Sequence, residues 1–206
     1  MAEAGIQAVV DELCEKLGIT WVPRKIVWTD TYESGWTKNG PGLVDVPSDH
    51  PVIREDKVML AESMKGKLGL EEWRPLLACS LIYYRRLDSK KFREITTRLG
   101  VLLSLVALWL LFLWLTIGPP QQAPGPYILS GIASATVVVI GGTFWTTRYL
   151  RDIWLLADDM ASALVGRKTL LETLLKVSQL KITELSESGS WADKPSLGLR
   201  IRNLEG

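Results

Sequence analysis

Residues 99–117 read LGVLLSLVALWLLFLWLTI, and residues 128–147 read ILSGIASATVVVIGGTFWTT. Neither run holds a charge. Each is close to the roughly 20 apolar residues that take a helix across a hydrocarbon core. The other reading, two buried core helices, is disfavoured by uncharged runs of this length. The first run starts far from Met1, so it is not a signal peptide, and no basic-then-apolar leader opens the chain. Residues 118–127, GPPQQAPGPY, form an uncharged Pro/Gly turn that suits two antiparallel helices. Arg85, Arg86, Lys90, Lys91, Arg93 and Arg98 precede the first run, and Arg148, Arg151, Arg167 and Lys168 follow the second. The positive-inside rule then puts both flanks and both termini in the cytoplasm, with the turn outside. Tyr127, Trp145 and Tyr149 suit interfacial anchoring or packing. Small residues recur on the second run at Ser130, Ser134, Gly131, Ala135, Gly141 and Gly142. They predict close packing, on Gly100, Ser104 and Ala107 of the first run or on a partner's helix.

The 206 residues carry 24 Lys+Arg against 23 Asp+Glu, a balance with no nucleic-acid footprint. Two cysteines, Cys14 and Cys79, exclude a disulfide framework or a Cys-rich zinc module. One histidine, His50, excludes any site that needs two imidazoles. Ile6, Val9, Val10, Leu13, Cys14 and Leu17 recur at helical spacing, and Gly18 can end that helix. Residues 26–28 and 57–60 are short strand candidates. Thr29 to Glu55 has loop composition, and His50, between Asp49 and Pro51, reads as an exposed loop histidine. Residues 71–87, EEWRPLLACSLIYYRRL, predict a helix, and Asp88 and Ser89 can cap the next one. Residues 148–182 predict one or two helices with a break at Gly166, followed by a polar stretch and a docked tail.

Three of these segments resemble a known family. Residues 71–88 run Glu71-Glu72-Trp73-Arg74-Pro75-Leu76-Leu77-Ala78, then Cys79-Ser80-Leu81-Ile82-Tyr83, then Tyr84-Arg85-Arg86-Leu87-Asp88. Past the apolar hairpin comes Arg151-Asp152-Ile153-Trp154-Leu155-Leu156-Ala157-Asp158-Asp159-Met160-Ala161, and the chain ends with Asp193-Lys194-Pro195 and Arg200-Ile201-Arg202-Asn203-Leu204. In order and spacing, over roughly residues 15 to 206, this resembles the HtpX-type membrane zinc metallopeptidases. Those carry an E-E-L-x-A-V-L-A run into H-E-x-x-H, a membrane hairpin, R-x-x-E-x-x-A-D-x-x-A, and often a T-H-P-x-x-x-x-R-I-x-x-L ending.

The resemblance implies a degenerate site. The two zinc-histidine positions hold Cys79 and Tyr83, the general-base position holds Ser80, and the third-ligand position holds Trp154. One cysteine cannot hold a metal in a site that needs three ligands, and a phenol stays protonated at neutral pH. Arg151 and Asp158 match the family's retained positions around the metal; Asp158 reads as an internal ion pair, a helix-cap contact or, with Asp159, a solvated pair. No cofactor is implied. The expectation is an α+β, mainly helical, zincin-like cytoplasmic domain interrupted by one two-helix transmembrane hairpin. Residues 1–98 form its N-terminal half, 99–147 the hairpin, and 148–206 its C-terminal half and tail.

The function expected is a non-catalytic pseudo-peptidase in a prokaryotic plasma membrane, an accessory subunit whose partners are other membrane protein subunits and the lipid bilayer, with no small-molecule substrate. One alternative is a membrane quality-control factor that binds peptides or an active peptidase, with Lys57–Leu60 as an edge strand for an extended segment. Trp21, Trp28 and Trp36 fit an interface or ordinary core packing. The other is a hydrolase with a Cys79-Ser80 nucleophile and His50 as base. An apolar helix around Cys79 would raise its thiol pKa and weigh against that.

Overall fold

A computed structural model describes residues 3–37, 40–118, 124–180 and 194–206, with side chains at 34–41 left aside. The chain divides into two compact units, residues 1–88 with 151–206, and residues 89–150. Helix α3 starts at Asp88, where the sequence offers Asp88 and Ser89 as its cap, and residues 89–98 fall in the unit of the hairpin rather than in the N-terminal half.

The first unit opens with α1 (Glu3–Leu17), which buries Ile6, Val9, Val10, Leu13, Cys14 and Leu17, the stripe that the periodicity predicts. Gly18 follows at φ +65°, and Ile19 N–H closes the helix end on the Cys14 carbonyl at 2.9 Å. Strands β1 (Lys25–Trp28), β4 (Val52–Arg54) and β5 (Lys57–Leu60) form one sheet in the order β1-β5-β4. β5 pairs parallel with β1 and antiparallel with β4. It is the central strand, so the expected edge at Lys57–Leu60 is not an edge.

The stretch 29–55 also departs from its loop composition. It holds β4 and a separate antiparallel ribbon of β2 (Thr31–Thr37) and β3 (Gly40–Asp45). Gly and Pro in β3 are tolerated because a two-stranded ribbon has open edges where a missing N–H does not break a ladder. Trp28 packs edge-to-face on Trp73 at 5.7 Å, the core role. Trp21 is exposed and carries the Arg85 guanidinium over its ring at 3.9 Å.

Helix α2 (Leu70–Leu81) is the centre of this unit, packed on α1, α5 and β4, with Trp73 and residues 75–81 buried. At its start Glu72 accepts from Gly69 N–H at 2.6 Å and from Lys176 Nζ at 2.5 Å, which ties α2 to α5 (Arg167–Gln179). Residues 82–86 continue as one wider π turn, closed by Leu87 N–H on the Ile82 carbonyl. α4 (Pro124–Val165) contributes its residues from Arg151 onward, α5 follows, and α6 (Leu197–Glu205) docks on α5 with Leu204 buried. Ser196 caps α6, accepting from Leu199 N–H.

The second unit is a helical hairpin of α3 (Asp88–Ile117) and the first part of α4. Both helices are long and apolar enough to cross a membrane, and their most apolar windows are 6% and 0% buried. A core helix of a water-soluble protein would be mostly buried, which these two are not. Trp109 Nε1 donates to Ser130 Oγ at 2.6 Å, and the Tyr127 hydroxyl to the Gly118 carbonyl at 2.6 Å. The small-residue stripe divides. Ser130 and Gly142 face α3, whereas a side chain added at Gly100, Gly131 or Gly141 would meet nothing. On α3 the less exposed face carries Leu102, Val106 and Leu113 rather than Gly100, Ser104 and Ala107.

Gly166 joins α4 to α5 at φ +94°, ψ 128°, a conformation open to glycine alone, and an added Cβ would lie 3.4 Å from Thr169 Oγ1. Gly166→Ala is expected to destabilise the protein by about 1–3 kcal/mol, measured by denaturant unfolding in mild detergent. An unchanged midpoint would show that the junction relaxes without strain.

Candidate functional site

Four stretches far apart in sequence meet beneath α2. Helix α2 supplies Cys79 and Ser80, the π turn Tyr83, α4 Trp154 and Asp158, the loop after β3 Asp49 and His50, and the C-terminal segment Lys194 and Arg200. The positions that the resemblance marks are therefore brought together, apart from Arg151, which is exposed.

Trp154 fills the middle. It is 2% exposed, and its ring lies 4.1 Å from Tyr83 and 4.6 Å from His50, the latter edge-to-face. The Arg200 guanidinium stands 5.4 Å from the same ring. Cys79 and Tyr83 are one turn apart on one face, so both are carried toward α4. A single aromatic cluster thus occupies the space between α2 and α4, with His50 as a member that sequence spacing does not predict. His50 is 3% exposed, not the exposed loop histidine expected. The reason lies in its neighbours: Asp49 beside it is drawn inward by cations that come from the C-terminal segment.

Those charges form one buried network. Arg200 Nε and Nη2 donate to the two oxygens of Asp158 at 2.8 and 2.7 Å, a bidentate pair with both side chains wholly buried. Arg200 Nη1 lies 3.4 Å from both the Asp49 carboxylate and its carbonyl. Lys194 Nζ donates to Asp49 Oδ1 at 2.5 Å, and His50 Nδ1 lies 3.0 Å from the same oxygen. With His50 neutral, two carboxylates face one guanidinium and one ammonium, and the charge cancels. Asp158 is thus the internal ion pair, not the solvated one.

Burial alone would raise the Asp49 carboxyl, but Lys194, His50 and Arg200 outweigh it and hold it well below the usual range. Burial, helped by the Lys194 charge and opposed by Asp49, lowers His50 to about 4, so it is neutral at pH 7. Burial and the neighbouring Asp158 push the Cys79 thiol well above its usual value. The thiol is the protonated, weakly nucleophilic form. Ser80 Oγ is buried with no hydrogen-bond partner among the described residues, so no base reaches it. His50 Nδ1 is held by Asp49, and its ring packs edge-to-face on Trp154. Among the described residues no group of three or more His, Cys, Asp or Glu is placed to hold a metal ion.

Asp49, Lys194 and Arg200 carry no site role in the sequence reading, and His50 enters it only as the base of a Cys79-Ser80 nucleophile. The one local signal was an Asp-His pair locked ahead of Pro51, with an arginine in the terminal motif. No family model, curated protein or solved structure matches the chain.

Trp154→Ala is expected to cost about 3–5 kcal/mol of stability, as truncation of a buried aromatic does. A loss under about 1 kcal/mol would mean that the ring packs loosely. The network also sets an acid sensitivity. His50 ionises near 6.5 when unfolded and near 4 when folded, so the unfolded state binds the extra proton between those values. Stability is complete above pH 6.5 and falls as pH drops toward 4, by about 3 kcal/mol. Asp49 acts in the same direction at lower pH, since a depressed carboxyl contributes above its unfolded value and is lost through its folded one. Unfolding of the full chain at about pH 7 and about pH 4.5 should show the fall in the native protein and a flatter profile in His50→Gln. Equal slopes in both would remove His50 from the account.

Proposed function

We propose that this chain is a non-catalytic, membrane-anchored subunit whose folded domain is a degenerate, zincin-like metallopeptidase scaffold. The observation that carries the reading is Trp154, buried against Tyr83 and His50 at the position where the resembling family places a metal ligand. Around it lie a protonated Cys79 thiol, an unpartnered Ser80 hydroxyl and a charge network already satisfied by Asp158, Arg200, Asp49 and Lys194. Each group that could have served hydrolysis has a packing or pairing role instead. Arg151 and Asp158, the two retained positions, differ in the same sense: one is exposed and the other locks α6 to α4.

The place proposed is a prokaryotic plasma membrane among other membrane subunits, with both termini cytoplasmic, and the hairpin supports the membrane part of that reading. Its apolar faces are open, and its charges are confined to the ends that join the folded domain. A peptide-binding role draws less support, because β5 is paired on both sides. The free edges of that sheet are β1, of four residues, and β4, of three.

Purification of the full chain in mild detergent is expected to retain a stoichiometric set of membrane proteins and no peptidase activity. Proteolysis of an unfolded substrate that disappears with Cys79→Ala would overturn the non-catalytic reading. Topology is tested separately. Cys14 and Cys79 are both buried and therefore silent to a membrane-impermeant maleimide. Gln122→Cys should label from outside and Ser190→Cys only from inside; labelling of Ser190→Cys from outside would reverse the orientation.

A further inference from the structure

The two helices of the hairpin end their uncharged runs at different depths. On α3 the run opens at Leu99, directly after Arg98; on α4 it closes at Thr147, directly before Arg148. Yet Arg98 does not lie beyond the end of the α4 run. It lines one groove with Trp145, Thr146 and Thr147, and so does Ile95, one turn nearer the start of α3. One turn further along, a Cβ added at Gly142 would lie 3.6 Å from Leu102 Cδ1. Arg98 therefore stands alongside the uncharged part of α4.

Its surroundings suit that depth. The guanidinium lies 4.2 Å from the Tyr149 ring and 5.0 Å from Trp145, with Glu94 at 3.8 Å. The side chain is 22% exposed, and Glu94 brings the opposite charge. Side chains lean toward the start of their helix, so the Arg98 stem runs along the apolar wall and its head reaches back toward the charged end. The hydroxyls of Thr97, Thr143 and Thr147 donate to carbonyls of their own helices, so none of them needs water.

The exposed apolar stripe of α3 also runs past Arg98. Leu110, Leu103, Leu99 and Phe92 recur at spacings that keep to one side of the helix, and all four are exposed. Phe92 is 75% exposed, the most open aromatic ring among the described residues of the hairpin. The three residues whose positions suit interfacial anchoring are otherwise engaged. Tyr149 is buried, Trp145 packs beside Arg98, and the Tyr127 hydroxyl donates to the Gly118 carbonyl.

We infer that the lipid boundary at the charged end crosses α3 at Phe92 and α4 at Arg148. The Phe92 ring is then the anchor in the headgroup layer, and Arg98 lies beneath it, paired with Glu94. The inference rests on the membrane reading of the hairpin. From Phe92 to Ile117 α3 covers about 26 residues, or roughly 39 Å, which fits within the roughly 40–45 Å of a bilayer counted through its headgroups. Lipid is the occupant that fits, because Phe92 continues the face that stays open along the uncharged run. Lys90 and Arg93 are exposed around the ring, an arrangement suited to a wet headgroup layer and not to a dry contact with another apolar helix.

The test places a small environment-sensitive fluorophore on single cysteines of the full chain in phosphatidylcholine vesicles. Cys14 and Cys79 are buried and stay unlabelled. Lys90→Cys, Phe92→Cys, Thr96→Cys and Leu108→Cys all replace exposed side chains, so the fold tolerates them. Quenching by aqueous iodide is compared with quenching by lipid spin-labelled near the headgroup. Iodide should quench the label at 90, lose most of its effect at 92 and all of it at 96. The headgroup-proximal spin label should act most strongly at 92. Labels at 92 and 96 as open to iodide as the label at 90 would overturn the inference and return the boundary to Leu99. A label at 96 shielded from iodide and also from spin-labelled lipid would overturn it too, since another protein segment would then cover the stripe. The label at 108 separates the two levels of the argument. If iodide reaches 108, the membrane reading itself is wrong; if 108 is shielded while 96 is open, only the boundary at Phe92 is lost.

Discussion

The bidentate pair of Asp158 and Arg200 is the constraint on which the folded domain depends. It joins α4 to α6 across 42 residues of sequence, and Arg200 reaches on to Asp49, 151 residues away. Neither Arg200 nor Asp158 has any solvent to fall back on. A lone charge in that position would be far more costly than the pair, so every element that carries a partner must arrive together. The C-terminal segment is therefore not an appendage. It delivers both cations of the network, and without it Asp158 would lose its guanidinium and Asp49 would keep only His50.

The same constraint explains the aromatic cluster. Trp154 and Asp158 lie one helical turn apart on α4, so fixing the carboxylate by Arg200 also fixes the indole over Tyr83. Asp49 fixed by Lys194 and Arg200 turns His50 onto the other side of that indole. Polar pairing and apolar packing thus specify one arrangement jointly. Buried ion networks of this kind are weak sources of net stability but strong sources of geometric definition, because a shifted helix would strand a charge.

What could be read from the sequence follows from how local each signal is. The α1 stripe depends on spacings within one helix and lies where the periodicity places it; the predicted helix over 71–87 is α only to Leu81, and the two apolar runs lie inside longer helices, Asp88–Ile117 and Pro124–Val165. The ribbon of β2 and β3 does not. Its strands are short, one holds Gly40, Pro41 and Gly42, and only cross-strand pairing selects them. The centrality of β5 likewise depends on a parallel partner more than 20 residues upstream and on β4, neither visible in residues 57–60 themselves. In the site, Cys79, Tyr83, Trp154 and Asp158 were marked because motif order carried them. His50 read as a surface residue because the cations that draw Asp49 inward lie at the far end of the chain.

Arginine is also the residue that makes such an interior feasible. Its guanidinium remains charged at any pH a protein meets, so Asp158 never faces a neutralised partner. A lysine in the same place would offer a point charge that burial discharges readily, and it could not grip both carboxylate oxygens in a plane. The one lysine in the network sits where it still keeps contact with solvent, its side chain 18% exposed against 0% for Arg200. Each cation therefore stands at the depth its chemistry tolerates. Here the buried histidine is held neutral and the buried thiol protonated. Together these buried side chains fix α2, α4 and α6 against one another.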